Sequence, residues 1–395
     1  MAIASAQSPI ILRAGSPADA GMDAARVTRI GALGKDWIRE GITPTLVLLA
    51  ARHGTIFLHE SFGTLVSSSA MAPPNTIFSL ASLSKPFTAT AIMMLVEEGR
   101  IGLGRAVQDY IPEFSGKGKE DVLIWHLLTH TSGLRWEDVD FYASTTGMMA
   151  PVPEPEATEH QARSEYLHRR YAAPLWKAPG EQMSYNNMNY SLLGEIVRRV
   201  SGQAFATFLQ QRIFAPLGMD DSHTSFPTAD EARVATVPAG AETAGGFPTA
   251  ITRYWPASGP GGCYSTALDV ARFGQMFLSR GRYSGVRLLS PAAVTQMSHN
   301  QIPGISVNLF GQFHREASWG FGLQIAGDEK WSYFDGSIRP SGTFGHGGGS
   351  GGFLWIDPDN DLVGVYLSVA SALDQGVFRH RFDMYQNAVY AALDV

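Results

Sequence analysis

Ser82-Leu83-Ser84-Lys85 places a hydroxyl and an amine three residues apart. On a helix that spacing puts both on one face, one turn from each other, so a potential nucleophile stands beside a potential proton acceptor. A serine hydroxyl attacks poorly until something takes its proton, and a lysine of depressed pKa, or one with a relaying partner, can do so. The chain has six lysines in 395 residues, and Lys85 alone has a serine three places before it. The same tetrapeptide also describes a serine cap on an ordinary helix with a solvated lysine, so by itself it leaves both readings open.

Two further sets of residues stand out. Tyr185-Asn186-Asn187 follows Pro179-Gly180 at a loop-to-helix junction, where a tyrosine and an asparagine two apart can point into one cavity. A second copy, Tyr385-Gln386-Asn387, falls inside a C-terminal helical stretch, and there Tyr385 is expected to pack against a sheet. The segment Phe344–Gly352 contains His346-Gly347-Gly348-Gly349 and Gly-Gly-Ser350-Gly-Gly, which imitate the oxyanion loop and the nucleophile elbow of α/β-hydrolases. An elbow needs a strand before its serine and a helix after it, whereas the residues from Phe353 to Val363 read as a β-hairpin. The two motifs also overlap, so one loop cannot supply both nucleophile and a separate oxyanion donor, and Ser350 is read as a decoy.

Two metal-like patterns fail on their details. His126 and His130 lie four apart, but Leu127 stands where a zincin needs its glutamate. Asp357-Pro-Asp359-Asn-Asp361 begins like a calcium loop, yet Leu362 and Ser368 occupy the places of the glycine and the final glutamate. It is read as a hairpin turn.

The elements that must carry these groups follow from periodicity. Residues Ser82 to Gly99 show Phe87, Ala91, Met94 and Leu95 at helical spacing, so an amphipathic helix is predicted, closed by Gly99. Pro86 would clash with the Ser82 carbonyl inside a regular helix, which puts Ser82 at or just outside the first turn. Upstream, Asp23–Glu40 reads as a helix, and Thr45–Arg52 with Thr55–Glu60 reads as a hairpin joined at His53-Gly54. Val122–Gly133 reads as a short buried helix and turn. Arg135–Lys177 lacks periodicity and reads as a long surface excursion, in which Trp136, Phe141, Tyr142 and Trp176 either line a pocket or pack beneath the loop.

Helices are predicted from Leu193 to Gly202, Phe205 to Phe214 and Thr266 to Arg280, with Ala229–Gly262 as a Gly- and Pro-rich connection. From Trp319 the texture turns to short strands at Phe321–Ile325, Gly351–Ile356 and Leu362–Val369, and a helix from Gln375 to Leu393 closes the chain.

Length and composition suit a globular protein of two domains or subdomains. The net charge of −6, with no basic block, argues against a nucleic-acid partner. The single cysteine, Cys263, excludes an internal disulfide and a thiolate cluster, and it is expected to be buried. No stretch approaches the roughly 18 apolar residues of a membrane span, and the apolar run before Arg13 is too short for a signal-peptide core. A cytoplasmic location is the expectation.

Taken in order, Ser82-x-x-Lys85, Tyr185-x-Asn187 and His346-Gly347-Gly348 resemble the serine β-lactamase and penicillin-binding-protein superfamily. The texts around Phe78–Thr88, His126–Leu134, Tyr190–Gly194 and Ala215–Met219 resemble its class C branch, which includes the family VIII carboxylesterases and D-amino-acid peptidases. The resemblance runs from about Asp23 to the C-terminus. It implies an α+β fold with an antiparallel sheet flanked by terminal helices: residues 1–80 with 305–395 forming a discontinuous α/β domain, 81–304 a mainly helical insert, and the site in the cleft between them.

The resemblance also assigns roles: Ser82 as nucleophile, Lys85 as base or relay, Tyr185 as general base, Asn187 and His346 in support, and the backbone N–H groups of Ser82 and Gly349 as the oxyanion hole, with no metal or cofactor. An unperturbed phenol titrates near about 10, so holding Tyr185 ionised at neutral pH costs roughly 4 kcal/mol. One cation about 4 Å away at an effective dielectric of 20 offsets about that much. Whether Tyr185 or Lys85 takes the proton stays open, because they form a coupled pair.

Where β-lactamases usually carry Lys-Thr-Gly, this chain has His346-Gly347-Gly348, which exchanges a permanent charge for one that fades near about pH 6.5. Neutral esters are therefore expected over carboxylate-bearing substrates. The leading expectation is a metal-free serine hydrolase acting on short or medium acyl esters. The alternatives are an acyltransferase, a β-lactamase or a D-amino-acid peptidase of the same superfamily, or a sensor module that is acylated and never turns over.

Overall fold

The computed structural model describes residues 11–139, 167, 170–236, 257–309, 312–327, 336–369 and 375–394. Its centre is a seven-stranded sheet made of strands β1 (Arg13–Ala14), β2 (Thr45–Arg52), β3 (Thr55–Gly63), β4 (Gln324–Ile325), β5 (Phe344–Gly348), β6 (Gly352–Asp357) and β7 (Leu362–Ser368). Their spatial order is β1-β3-β2-β7-β6-β5-β4, antiparallel except for β1 on β3. The chain's two ends thus meet where β2 pairs with β7, Leu49 opposite Val365.

Period-two alternation decides what each face touches. Leu46, Leu48 and Ala50 of β2 enter one core cluster with Trp37, Phe382 and Tyr385, under helices α1 (Ala24–Arg39) and α5 (Gln375–Ala391). Val47, Leu49 and Ala51 enter the other. Helix α1 starts where the Asp23 side chain accepts the Arg26 N–H at 2.9 Å. It lies close on β3 because a Cβ at Gly34 would stand 2.6 Å from the Phe62 ring.

The second face is covered by α4 (Ala267–Leu278), where Gly274 would meet Val363 and Leu354 if it carried a Cβ. This helix falls within the 81–304 span expected as the insert, yet it packs on the sheet, and the core continues from it into the helical region without a break.

The buried axis of that region is α2 (Lys85–Glu97), preceded by a 3-10 turn at Ala81–Ser84 and packed on α3 (Asn187–Ser201). The predicted amphipathic face is corrected here: Lys85 through Leu95 are buried on every side. Phe87 meets Phe214 and Phe273 edge-on at 5.1 and 4.6 Å, and Thr88 hides its hydroxyl by donating to the Gly259 carbonyl at 2.6 Å. Polar threonines made one face look solvated; a hydrogen bond to a distant carbonyl lets Thr88 sit inside.

Two strand expectations are corrected, since Phe321–Ile325 is extended only at Gln324–Ile325, and Phe344–Gly348, read as part of a loop, pairs into the sheet as β5; other expectations sit closer to their observed bounds. The predicted helix at Phe205–Phe214 is α-helical for Phe205–Leu209 and widens into a π turn at Gln210–Phe214. The Asp357 segment is a hairpin turn, with the Asp357 carboxylate accepting the N–H groups of Asp359 and Asn360. Phe141 and Tyr142 lie outside the described residues, whereas Trp176 is stacked by Arg135 and Lys177. No helix among the described residues is long and apolar enough to cross a membrane.

Candidate active site

Ser82 stands in the 3-10 turn that precedes α2, so the nucleophile candidate is outside the regular helix, as Pro86 in the first turn requires. The residue before it, Ala81, has φ 45°, a left-handed conformation unusual for a side chain. Leu83 N–H closes the turn on the Leu80 carbonyl at 2.9 Å. Ser82 stays partly exposed, while the Lys85 side chain is fully buried beneath it.

Three oxygens surround the Lys85 amine: Ser82 Oγ at 2.9 Å, Asn187 Oδ1 at 2.8 Å and the Pro260 carbonyl at 3.1 Å. Desolvation by burial holds its pKa well below the ordinary lysine range. Two of those oxygens only accept. A neutral amine gives them its two N–H bonds and keeps a lone pair for the third, the Ser82 hydroxyl, which can donate.

Asn187 reaches Lys85 because it opens α3, whose cap is Asn186, with its side chain accepting the Met188 N–H at 2.7 Å. Tyr185 precedes that cap, and its ring centroid lies 4.8 Å from Lys85 Nζ. The triplet that looked weak in sequence is thereby delivered to the serine–lysine pair by a helix start. Its copy is not: Tyr385 is buried in the sheet core and donates to the Leu49 carbonyl at 2.9 Å, and Asn387 bonds Asp383 on its own helix.

The third wall is β5. His346 is buried, its Nδ1 donating to the Gly347 carbonyl at 2.6 Å, and its ring lies 6.2 Å from that of Tyr185. Burial, reinforced by the Lys85 charge, pushes its pKa down to about 3. The expectation of a charge fading near pH 6.5 is therefore corrected: in the fold this histidine is neutral across the whole neutral range, because burial strips an imidazolium of its solvation.

A Cβ on Gly348 would stand 2.2 Å from the Leu80 carbonyl, whereas one on the exposed Gly349 meets nothing within 4 Å. Gly348 is needed for contact with the turn that carries Ser82, and Gly349 is left facing open space. Ser350 donates to the Ser79 carbonyl at 2.5 Å and is followed by the strand β6 rather than a helix.

Sequence reasoning missed three participants. The Pro260 carbonyl carries no signal in sequence. Trp319 marked only a change of texture, yet it is buried edge-on to Tyr185 and His346 at 6.0 and 5.7 Å. His130 was weighed only as a zinc ligand; its ring lies 4.5 Å from that of Tyr185. His126 instead accepts the Leu123 N–H on Nδ1 at 3.0 Å. Among the described residues no three His, Cys, Asp or Glu side chains converge to hold a metal ion.

A family model described as Beta-lactamase matches residues 34–383. A protein from Salmonella agona with the provisional name D-alanyl-D-alanine carboxypeptidase is 25% identical, over 90% of this chain and 85% of its own length. Among solved structures, EstCE1, described as a hydrolase with promiscuous acyltransferase activity, superposes with a TM-score of 0.73 at 21% identity, covering 94% of this chain and 99% of its own. A family VIII carboxylesterase gives a TM-score of 0.70 at 20% identity, with the same two coverages. At these identities the structural likeness speaks for the fold.

Proposed function

Because the chain belongs to the β-lactamase family of serine hydrolases, we propose that it hydrolyses short or medium acyl esters through an acyl-enzyme on Ser82. The observation that carries the reading is the buried Lys85 amine 2.9 Å from the Ser82 hydroxyl. Its depressed pKa supports a neutral amine at working pH.

Ser82 Oγ forms a bond to the acyl carbon while its proton passes to Lys85, with Tyr185 beside it as the alternative acceptor. The tetrahedral oxyanion is received by the backbone N–H groups of Ser82 and Gly349. Its collapse breaks the ester C–O bond, and the returned proton leaves on the alcohol. Water then attacks the acyl-enzyme by the reverse route and releases the acid. Asn187 holds the amine in line throughout.

Neutral His346 supports esters over carboxylate-bearing substrates, since the position that would pair with a carboxylate offers no cation. This argues against transferring the name of the Salmonella relative, whose D-alanyl-D-alanine substrate ends in a carboxylate. The net charge of −6 likewise supports a small-molecule substrate over a nucleic acid. The test is labelling with an aryl phosphonate and peptide mapping, followed by kcat/KM for a short-chain aryl ester and a cephalosporin. A single adduct on Ser82 with strong preference for the ester is the expected result; an adduct elsewhere, or comparable turnover of both, overturns it.

A further inference from the structure

His130 belongs to none of the three motifs, and its contacts converge on Tyr185. Its carbonyl accepts the Ser184 backbone N–H at 2.9 Å, and its Nδ1 accepts that of Asn186 at 3.2 Å. The residues on either side of Tyr185 are therefore both tied to one distant residue. Its imidazole also lies against the Tyr185 ring, with centroids 4.5 Å apart at 36°. Tyr190 at 5.0 Å and Trp319 at 5.6 Å close around it, leaving it fully buried.

The local backbone is built to hold this pose. His130 has φ 58°, a region that costs most side chains free energy and persists only where surroundings fix it. Thr131 N–H donates to the His126 carbonyl at 2.8 Å, Gly180 N–H donates to that of Thr131 at 2.7 Å, and Ser132 donates to Asn189 Oδ1 at 2.6 Å. Since Nδ1 accepts an amide proton, the ring proton belongs on Nε2. Lys85, Tyr185, Asn189, Tyr190, Trp319 and His346 are polar or charged neighbours of the ring among the described residues, and none of these is a carboxylate. The imidazole stays neutral, so it adds no cation beside the Lys85 amine.

We infer that His130 is a positioning residue that fixes the Tyr185 ring against Lys85, gripping the backbone on both sides of Tyr185 and backing the ring itself. The inference rests on the reading of Ser82, Lys85 and Tyr185 as the reacting groups.

Three variants separate its contacts. His130→Asn keeps an acceptor where Nδ1 stands and tolerates the left-handed backbone. His130→Phe keeps a ring but leaves the buried Asn186 N–H unpaired, and His130→Ala removes both. The readouts are kcat and KM for a short-chain aryl ester, the pH–rate profile, the rate and stoichiometry of phosphonate labelling, and the melting temperature. His130→Ala is expected to lose about 100-fold in kcat with KM within about threefold, as for a misplaced reacting group. His130→Asn is expected to recover most of that loss with the midpoint of the acid limb unchanged, and His130→Phe to recover little. Each variant should still reach one adduct per chain, more slowly for Ala and Phe.

The inference is overturned if kcat follows melting temperature whatever contact is kept, if all three variants retain parental kcat, or if His130→Asn shifts or abolishes the acid limb. Absence of an adduct on Ser82 in the parent protein would instead defeat the site reading itself, and this inference with it.

Discussion

Ser82 and Ser350 both sit in sequence contexts that describe a nucleophile, and both lie near the turn before α2. What differs is the group facing each hydroxyl. Ser82 faces an amine that burial holds partly discharged; Ser350 donates to the Ser79 carbonyl, which accepts a hydrogen bond but cannot carry the proton away. The same functional group therefore has an amine to give its proton to in one place and only a carbonyl in the other. Ser350 joins the end of the third-motif strand to the segment that carries Ser82, and Gly348 lets the two backbones approach.

The largest effect expected is the direct exchange of these roles. Ser82→Ala should lose at least about 10⁴-fold in kcat/KM, in line with removal of a serine nucleophile. Ser350→Ala should keep activity within about threefold and cost about 1 kcal/mol of stability for one hydrogen bond. Ester kinetics and denaturant melts on both variants measure this, and the opposite ranking would reverse the assignment.

Next, Ser82 can be given a neighbour that holds protons as firmly as a carbonyl refuses them. Lys85→Arg supplies a cation that stays protonated, so it should fall about 10²- to 10⁴-fold, the range for loss of a general base. Retention of parental kcat by Lys85→Arg would mean that charge alone suffices there and that Tyr185 takes the proton.

The contact between the two serine segments is tested by adjacent glycines. Gly348→Ala drives a methyl into the Leu80 carbonyl and should lower stability by about 1–3 kcal/mol with a fall in kcat. Gly349→Ala meets open space in the free enzyme and should leave the melting temperature unchanged. Equal melting temperatures for the two variants would show that the close approach does not constrain the turn.

The smallest effect near neutral pH concerns the charge state of two buried histidines, His346 on β5 and His126 on the short helix Ile124–Leu128. His346 and His126 have folded-state values pushed down by burial to about 3 and about 4, below the ordinary 6.5. As pH falls below about 6.5 the unfolded chain takes up protons first, so each contributes stability that is whole above that value and is lost toward the folded pKa. The slope is about 1.4 kcal/mol per pH unit for each group. Denaturant titrations from pH 7 to 4 should show this decline, reduced by one proton's worth in His126→Asn; an unchanged slope in that variant would remove His126 from the account.

Much of the architecture was legible because it is written in local pattern. The β2–β3 hairpin, α1 with its Asp23 cap, and α3 ending at Gly202 follow from periodicity and end signals that need no partner. The all-round burial of α2 was not legible, because Thr88 and Lys85 are polar by type and find partners in Gly259, Pro260 and Asn187, which come from far along the chain. Nor was the use of Tyr185 over Tyr385 legible in the triplets themselves.

What the sequence by itself determined is an inventory and an order: one serine three residues before a lysine, a tyrosine and asparagine at a later helix start, and a histidine–glycine segment near the end. Tertiary structure decided which serine faces a buried amine, that burial pushes the His346 pKa down, and that His130 packs on Tyr185 while bonding the backbone on both sides of it. The reason is physical: a pKa and a nucleophile's activation depend on desolvation and on distances of a few ångströms between residues remote in the chain, and no local spacing encodes either.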